Sequence, residues 1–282
     1  MTSSNITIYS SPDADDIFMM YGLMSGAIQH ANINFIVEMG DIEELNKGAF
    51  ANALQVSAVS AHALAYISTE YDVLCSGASF AGRTYGPLLV STKNGNSNLE
   101  EIKKIAIPGE FTSAALALRI YLSEHSLAPE LVPVSFHNVH EAVLSGAVDA
   151  GVLIHEGQLI HERQGLQALV NLGTWWWETR ELLLPLGMIA IRKNLGTELE
   201  SVISNCVRQS IQYAHNNRSA ALNFAKEYRR GLSLEELDKY VNMYANETSI
   251  DMGSEGRRSL ELFLAAGHQF GLLANAPKLN FV

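Results

Sequence analysis

The sequence predicts an α/β protein built from two domains with a ligand cleft between them. Short apolar runs alternate with amphipathic segments through residues 1–90, and the alternation returns after a polar, small-residue segment at 92–98. This alternation is typical of βα units on a largely parallel sheet. From Thr197 onward the pattern is helical only. We therefore expect two α/β units and a helical C-terminal region.

The elements of the first unit follow from their periodicity. Three apolar runs predict strands, and each is followed by an amphipathic segment that predicts a helix. The strands are at 6–9, 33–38 and 55–59, and the helices at 16–26, 42–53 and 61–68. Two further strands, at 71–76 and 86–91, flank a glycine-rich turn at 77–86.

The second unit repeats this pattern, with strands at 104–107, 131–135 and 150–154 and helices at 113–124 and 139–145. The apolar run at 182–191 predicts a strand that returns to the first unit. Four amphipathic helices follow, one of them opened by a capping box of Ser233 and Glu236. We expect a discontinuous first domain of residues 1–90 and 188–282 and an inserted second domain of residues 91–187. A cleft between such domains is the usual place for a small ligand.

Composition argues against several classes of partner. The formal net charge is −11 and the 19 basic residues are scattered, so we expect no nucleic-acid binding. No window reaches the ~18 consecutive apolar residues of a membrane span, and the N-terminus lacks the pattern of a secretory signal. The two cysteines, Cys75 and Cys206, have no metal-ligand spacing. We expect a cytoplasmic protein with a small-molecule substrate, and apolar positions on the C-terminal helices leave a homodimer open.

The segment most indicative of chemistry is an apolar run that ends in a histidine. Residues 150–156 read Ala-Gly-Val-Leu-Ile-His-Glu. Because the carboxyl ends of strands border the ligand crevice of an open α/β sheet, this spacing places His155 beside a substrate. His155 is therefore the leading catalytic candidate, and the alternative is a histidine that only ends a strand and bonds to a loop. Glu156, as the next residue along the strand, is expected to point away.

A second candidate segment, at 108–114, reads Pro-Gly-Glu-Phe-Thr-Ser-Ala and lies between a strand and an apolar helix. Thr112 or Ser113 would cap this helix, and the free backbone N–H groups at its start would form an anion or hydroxyl site. A plain helix cap is the alternative. Residues 76–83 match neither a dinucleotide fingerprint nor a P-loop, so we expect no nucleotide cofactor.

Three carboxylates gather at the start of the first helix, in the segment Ser-Pro-Asp-Ala-Asp-Asp at 11–16. No further acidic ligand lies at a spacing that would complete a cation site, so we expect no metal. We expect Asp13, Asp15 and Asp16 to cap the helix and stabilise its dipole. A contact between one of them and substrate hydroxyls remains open. We expect at least two of the three tryptophans at 175–177 to pack in the core or at a domain interface.

These segments and several others follow one another in a characteristic order. They are Ser-Pro-Asp-Ala-Asp-Asp at 11–16, the small-polar turn at 57–62, Ser-Gly at 76–77, Gly-Pro-Leu at 86–88, Ile-Pro-Gly at 107–109, Thr-Ser-Ala at 112–114, Val-Asp-Ala-Gly at 148–151, Ile-His-Glu at 154–156, Leu-Gly at 172–173, Trp-Trp at 175–176 and Leu-Pro-Leu-Gly at 184–187. In this order they closely resemble the 1,4-dihydroxy-6-naphthoate synthase family of the futalosine route to menaquinone. The resemblance implies a type II periplasmic-binding-protein-like fold turned to catalysis, which agrees with the inserted-domain prediction.

The resemblance also implies an activity: a cofactor-free lyase that converts cyclic dehypoxanthine futalosine into 1,4-dihydroxy-6-naphthoate and releases the sugar-derived fragment. It places the proposed base of the family on His155. The substrate-contacting segments of the family fall on Ala58, Val59, Ser60, Ser113 and Ala114. Donors from Ser60, Thr112 and Ser113 would then steady the developing enolate or the substrate carboxylate.

One segment departs from the family pattern. Many members carry Ser-Pro-Cys-Pro-Asn-Asp where this chain has Ser-Pro-Asp-Ala-Asp-Asp, so roles for Asp13 and Asp15 do not follow from the resemblance. Chorismate dehydratase, which has a similar fold and pathway, is the nearest enzymatic alternative, although an Ile-His-Glu segment is not expected of it. A solute-binding protein that captures a small carboxylate without chemistry is the alternative from another class. The missing secretory pattern and the cleft histidine count against it.

Overall fold

The computed structural model of the protein describes residues 4–228 and 232–282. These residues form two β-sheets with α-helices packed around them. The strands are β1 (Ser4–Ser10), β2 (Ile33–Met39), β3 (Val56–Ser60), β4 (Tyr71–Val73), β5 (Ser79–Ala81), β6 (Leu88–Thr92), β7 (Lys104–Ile107), β8 (Glu130–Pro133), β9 (Ala150–Leu153), β10 (Leu166–Asn171) and β11 (Leu184–Arg192). The helices are α1 (Ala14–Met24), α2 (Ile42–Phe50), α3 (Leu64–Ile67), α4 (Ser113–Glu124), α5 (Val139–Leu144), α6 (Gly157–Ile160), α7 (Leu172–Arg180), α8 (Thr197–Asn216), α9 (Arg218–Tyr228), α10 (Leu234–Tyr244), α11 (Glu247–Ile250) and α12 (Gly253–Gln269).

The first sheet has the strand order β2-β1-β3-β11-β4, and β5 also pairs with β11. In it, β1 runs parallel to β2 and β3, whereas β11 runs antiparallel to β3, β4 and β5. The second sheet has the order β10-β6-β9-β7-β8, with β7 parallel to β8 and β9. The α/β prediction is confirmed, but both sheets contain parallel and antiparallel pairs, so the expectation of a largely parallel sheet is wrong. The apolar run at 182–191 does return the chain to the first sheet, as β11.

The chain passes between the sheets twice, within residues 82–87 and 172–183. These crossings touch at two glycines. A Cβ on Gly86 would lie 2.8 Å from Gly173 Cα, and a Cβ on Gly173 would lie 2.3 Å from the carbonyl oxygen of Tyr85. The expected domain boundaries, at 90/91 and 187/188, fall inside β6 and β11, which pair with their neighbours on both sides of those points. The division into domains stays a prediction.

Close packing between α1 and α8 fixes the acidic turn that opens α1. The Ser210 hydroxyl on α8 donates to the carbonyl of Met19 (2.8 Å) and accepts from the N–H of Leu23 (3.1 Å). A Cβ on Gly22 would lie 2.7 Å from Ser210 Cα, so only glycine allows this approach. The apolar side of α1 is buried in a core shared with β1, α8 and α10. The start of α1 is therefore held rigidly at the end of β1.

Two features of the helical predictions differ from the structure. The helix expected at 61–68 is a 3₁₀ turn, Ala61–Ala63, followed by the four-residue α3. After Thr197 the described residues hold five helices, not four, because the short α11 stands between α10 and α12. The capping box of Ser233 and Glu236 is confirmed at the start of α10.

The tryptophan run serves packing, as predicted for two of its three members. Trp175 and Trp176 are buried, and the Trp176 ring meets that of Phe263 on α12 edge to face. The guanidinium of Arg83 lies over the Trp177 ring, 4.0 Å from its centre. Within the described ranges, no helix combines the length and the apolar character needed to cross a bilayer.

Candidate active site

A cleft is lined by residues from both sheets. Its walls include the ends of β3 and the middle of β11 in the first sheet, together with the residues that follow β7 and β9 in the second. Two sets of polar groups face it. The acidic set consists of Asp13, Asp15, Asp16 and His155, and the helix set consists of Thr112, Ser113 and Ala114.

His155 lies in the cleft because β9 ends two residues before it. The strand ends at Leu153. His155 has a φ of 65°, in the left-handed region that residues other than glycine rarely adopt. This turn brings the imidazole Nδ1 to 2.6 Å from Oδ2 of Asp13, and the ring of Phe136 packs against it with 4.1 Å between centres. Strained backbone of this kind is often found at functional positions.

Asp13 pairs with His155 instead of capping α1. It occupies the N-cap position, but its side chain makes no capping hydrogen bond. The Ser11 hydroxyl donates to Asp13 Oδ2 at 2.7 Å, on the same oxygen that faces His155. The expectation that Asp13 caps the helix is therefore wrong, because its carboxylate is drawn to these two partners. A carboxylate on Nδ1 fixes the imidazole orientation and stabilises the imidazolium, as in the triads of hydrolases.

Glu156 also reaches the start of α1, against the expectation that it would point away. Its Oε1 accepts a hydrogen bond from the backbone N–H of Ala14 at 3.3 Å, and the residue is buried. Successive side chains point to opposite faces only within a strand. Here β9 has already ended and the chain turns at His155, so this rule does not apply to Glu156. The N-terminus of α1 carries a partial positive charge that stabilises a carboxylate in this position.

Asp15 is the third buried carboxyl group of this region. It is 5% exposed, and its Oδ2 accepts a hydrogen bond from the Ser79 hydroxyl at 3.3 Å. Burial raises the pKa of Asp15 to about 7, and the neighbouring carboxylates of Asp13 and Glu156 contribute to the increase. At neutral pH, Asp15 therefore holds a proton for a substantial part of the time.

Two tyrosines of α10 close this side of the cleft. Burial raises the pKa of both Tyr240 and Tyr244, so their hydroxyl groups stay protonated. The Tyr244 hydroxyl donates to Oε1 of Gln158 on α6 at 2.8 Å. This hydrogen bond joins α10 to α6, the short helix that begins two residues after His155.

Thr112 is the cap of α4, in agreement with one of the two predicted alternatives. Its Oγ1 accepts from the N–H of Ala115 (3.2 Å) and donates to the carbonyl of Gly109 (3.1 Å). The Ser113 hydroxyl donates to the carbonyl of Leu186. Both hydroxyl groups thus donate to backbone carbonyl groups in this structure, and their donation to substrate stays a prediction. The donors that remain are the backbone N–H groups at the start of the helix, at Ser113 and Ala114, which have no intrahelical acceptor.

The three candidate residues of β3 do not share one environment. Ala58 and Ser60 line the cleft, whereas Val59 is fully buried in the hydrophobic core. The period of two in a strand explains this, since Val59 faces the opposite side of the sheet. Asn46 on α2 fixes Ser60 by accepting its backbone N–H (2.8 Å) and donating to its Oγ (3.1 Å).

A cluster of contacts holds the loop before α4 against α2. The Glu43 carboxylate accepts from the backbone N–H groups of Glu110 (3.0 Å) and Phe111 (3.1 Å). The rings of Phe50 and Phe111 meet edge to face, with 4.8 Å between centres. His62 lies against the carbonyl of Thr112 at 3.3 Å, and burial lowers its pKa to about 4, with Arg119 as a second cause. These contacts join the two units across the rim of the cleft.

No group of three or more His, Cys, Asp or Glu side chains within residues 4–228 and 232–282 is arranged to hold a metal ion. The polar groups that the described residues bring to the cleft are an imidazole, carboxyl groups, hydroxyl groups and helix N–H donors.

Comparison with known proteins identifies the family. A family model described as "Menaquinone biosynthesis" matches residues 6–269. The chain belongs to this family. A relative named 1,4-dihydroxy-6-naphtoate synthase, from Thermus thermophilus, is 34% identical over 274 residues, which cover 96% of this chain and 97% of the relative. A second relative of that name, from Streptomyces coelicolor, is 29% identical over 276 residues, which cover 97% and 96%.

Solved structures establish the fold. Protein AF1704 from Archaeoglobus fulgidus superposes with a TM-score of 0.86 at 36% identity and covers 95% of this chain and 98% of its own. The alkanesulfonate-binding protein SsuA from Xanthomonas axonopodis pv. citri superposes with a TM-score of 0.72 at 10% identity, covering 98% and 96%. The second likeness shows the fold alone, and the predicted periplasmic-binding-protein-like fold is confirmed.

Within this menaquinone-biosynthesis protein, sequence reasoning did not single out Tyr244, and it predicted neither the pairing of Asp13 with His155 nor the burial of Asp15. For the three acids of the first turn it favours helix capping and leaves a contact with substrate hydroxyls open. The one available signal lay in the segment at 11–16, where this chain departs from the Ser-Pro-Cys-Pro-Asn-Asp form of many family members. Both substituted acids of that segment, Asp13 and Asp15, line the cleft.

Proposed function

We propose that this protein is a carbon–carbon lyase that converts cyclic dehypoxanthine futalosine into 1,4-dihydroxy-6-naphthoate, with His155 as the general base. The observation that carries the proposal is the contact between the partly buried His155 and the buried Asp13, at 2.6 Å, within a cleft lined by both sheets. Membership in the menaquinone-biosynthesis family and the names of the two relatives support the substrate class.

The imidazole is suited to the first step. With Asp13 on Nδ1, the other ring nitrogen takes a proton from a hydroxyl group of the sugar-derived ring, and the resulting charge on the imidazole is stabilised by the Asp13 carboxylate. The alkoxide then collapses to a carbonyl, the adjacent carbon–carbon bond breaks, and its electron pair forms an enolate on the six-membered ring. Loss of the sugar fragment leads to an aromatic product, which supplies the driving force.

The two polar sets suggest how the substrate is oriented. The start of α4 offers backbone N–H groups at Ser113 and Ala114, and a helix N-terminus favours a negative charge. The substrate carboxylate therefore fits the helix set. The acidic set, centred on Asp13, repels a carboxylate and suits the uncharged hydroxyl groups of the sugar-derived ring. This arrangement brings those hydroxyl groups to His155.

Closure of the cleft completes the site. The carboxylate of Glu43 on α2 holds the loop at 110–111, and Tyr244 on α10 holds Gln158 on α6. Contacts of this kind close a site around substrate and exclude water from reactive intermediates.

The first experiment mixes the purified protein with cyclic dehypoxanthine futalosine, without added metal or nucleotide, and follows product by chromatography with mass detection. We expect dihydroxynaphthoate to appear. His155→Ala should lower kcat roughly 10²–10⁴-fold with little change in substrate affinity, because a general base contributes about that much. Asp13→Asn should lower kcat with KM almost unchanged, since it leaves the imidazole without its charged partner.

His125→Ala is the matched control, because His125 is exposed and lies at the far end of α4 from the cleft. It should retain the activity of the unmodified protein. A near-normal kcat for His155→Ala would remove His155 from the role of base. Tight binding without turnover would indicate a solute-binding protein, and turnover of chorismate instead would indicate a dehydratase.

A further inference from the structure

The acidic set and the adjoining Glu156 together hold more carboxyl groups than the imidazole of His155 can balance. Asp13 has the Ser11 hydroxyl and the His155 ring as partners, and Glu156 has the N–H of Ala14 at the positive end of α1. Asp15 has the weakest compensation of the three buried carboxyl groups, because the one side chain that donates to it is the neutral hydroxyl of Ser79.

The second observation concerns the other oxygen of Asp15. Its Oδ1 is buried and has no hydrogen-bond partner among the described residues, although the side chain lines the cleft. A carboxylate oxygen left without a donor in such a place costs the full penalty of desolvation. A protonated oxygen is different, because it brings its own donor and lacks only an acceptor. An oxygen atom of a bound substrate would supply that acceptor.

We propose that Asp15 acts as a neutral carboxylic acid whose Oδ1–H donates a hydrogen bond to an oxygen atom of the substrate in the cleft. Its role in turnover rests on the proposed lyase function. The proton stays on Asp15 throughout, so the group is a fixed donor and not a proton source. A neutral donor stabilises the charge that develops on an alkoxide or enolate oxygen, whereas an ionised Asp15 would repel that charge.

The surroundings of Asp15 favour the neutral form. The titratable groups that face it are Asp13 in the same turn, His155 and Glu156 after β9, and Tyr240 and Tyr244 on α10. Burial raises the pKa of Asp15 to about 7, with Asp13 and Glu156 acting in the same direction. Its own backbone N–H and His155 act in the opposite direction. A substrate that fills the cleft and removes water would favour the neutral form further.

The test compares two substitutions whose side chains both branch at Cγ into two heavy atoms, as that of Asp15 does. Asp15→Asn keeps a neutral hydrogen-bond donor at this position, and Asp15→Leu removes it. At pH 6, we expect Asp15→Asn to keep kcat/KM within a few-fold of the unmodified protein and Asp15→Leu to lose roughly 10²–10³-fold, the effect of deleting one preorganised donor. Above pH 7, kcat/KM of the unmodified protein should fall as Asp15 ionises. With Asp15→Asn, this alkaline decrease should be absent.

Equal loss of activity in both variants at pH 6, or an alkaline decrease that persists in Asp15→Asn, would overturn the inference. A readout that needs no substrate separates it from the proposed function. Infrared difference spectra of the unmodified protein minus Asp15→Asn should show the C=O stretch of a protonated carboxyl group at pH 5.5, and the band should disappear by pH 8.5. Turnover without this band would overturn the proposed role of Asp15 but not the proposed lyase function. The band without turnover would support the neutral carboxyl group and overturn the lyase function.

Discussion

The ionisation of Asp15 should make the folded protein less stable as the pH rises. In the unfolded chain, this carboxyl group loses its proton near pH 3.8, whereas in the folded protein the pKa is about 7. Between these values the folded state binds more protons than the unfolded state, so the free energy of unfolding decreases with increasing pH. The full cost is present above pH 7, where the buried group is ionised. Asp15→Asn removes this cost.

The magnitude follows from the size of the shift. About three pKa units separate the two states, and each unit corresponds to about 1.4 kcal/mol, so the total is about 4 kcal/mol. About two of these units lie between pH 5 and pH 7. The stability of Asp15→Asn, relative to the unmodified protein, should therefore rise by about 3 kcal/mol between pH 5 and pH 8.

Urea unfolding at pH 5 and at pH 8 measures the free energy of unfolding of both proteins. The contributions of the other titrating groups cancel in the difference, because the two proteins share those groups. Glu235→Gln is the control, since it removes the same formal charge from an exposed position on α10. It should leave the difference between pH 5 and pH 8 unchanged. A relative gain below about 1 kcal/mol for Asp15→Asn would refute the reasoning, because the carboxyl group would then ionise in the folded state almost as it does in water.

Three further predictions concern the rim and the crossings. His62 is held neutral with a pKa of about 4, so stability should decrease by about 3 kcal/mol as the pH falls from 6.5 to 4, and His62→Gln should remove that acid sensitivity in thermal unfolding. Glu43→Ala removes the acceptor of two backbone N–H groups at 110–111. The free energy that favours the closed cleft should decrease by about 1–3 kcal/mol as a result. Calorimetry should show product binding weakened roughly 5-fold to 150-fold, and an unchanged Kd would mean that this contact does not hold the cleft closed. Gly173→Ala places a Cβ 2.3 Å from the Tyr85 carbonyl oxygen, so the urea midpoint should decrease by the equivalent of about 1–3 kcal/mol, and an unchanged midpoint would show that the crossings can separate freely.

Local patterns were enough to predict the two sheets and the approximate position of His155. The alternation of apolar runs and amphipathic segments depends on local burial, which the sequence records directly. Thr112 could be predicted as a helix cap because capping involves residues only three apart. The apolar run at 182–191 predicted a strand that returns to the first unit, because a long apolar run is typical of a strand in the middle of a sheet. In the structure, β11 pairs with β3 on one side and with β4 on the other.

The composition of the acidic set could not be predicted, because it depends on a contact between residues far apart in sequence. Asp13 and His155 meet only when the first sheet and the second sheet are placed together. The left-handed backbone of His155, which directs Glu156 toward Ala14, could not be predicted, because residues other than glycine seldom adopt this conformation and no glycine stands at the position. The protonation of Asp15 depends in turn on these neighbours. Local reasoning therefore identified the histidine and missed the groups that determine its surroundings.

The opposite electrostatic character of the two polar sets has a consequence for ligand choice. The cleft places the N-terminus of α4, at Ser113, opposite a group of carboxyl groups around Asp13, so the number of negative charges on a ligand should decide how well it binds. A monoanion with a hydroxylated, uncharged portion satisfies both sets at once. A dicarboxylate such as chorismate must place its second charge beside Asp13 or leave it in solvent, and either choice weakens binding. We expect competition experiments to rank aromatic monocarboxylates above dicarboxylates of similar size, with the gap narrowing as salt screens the charges.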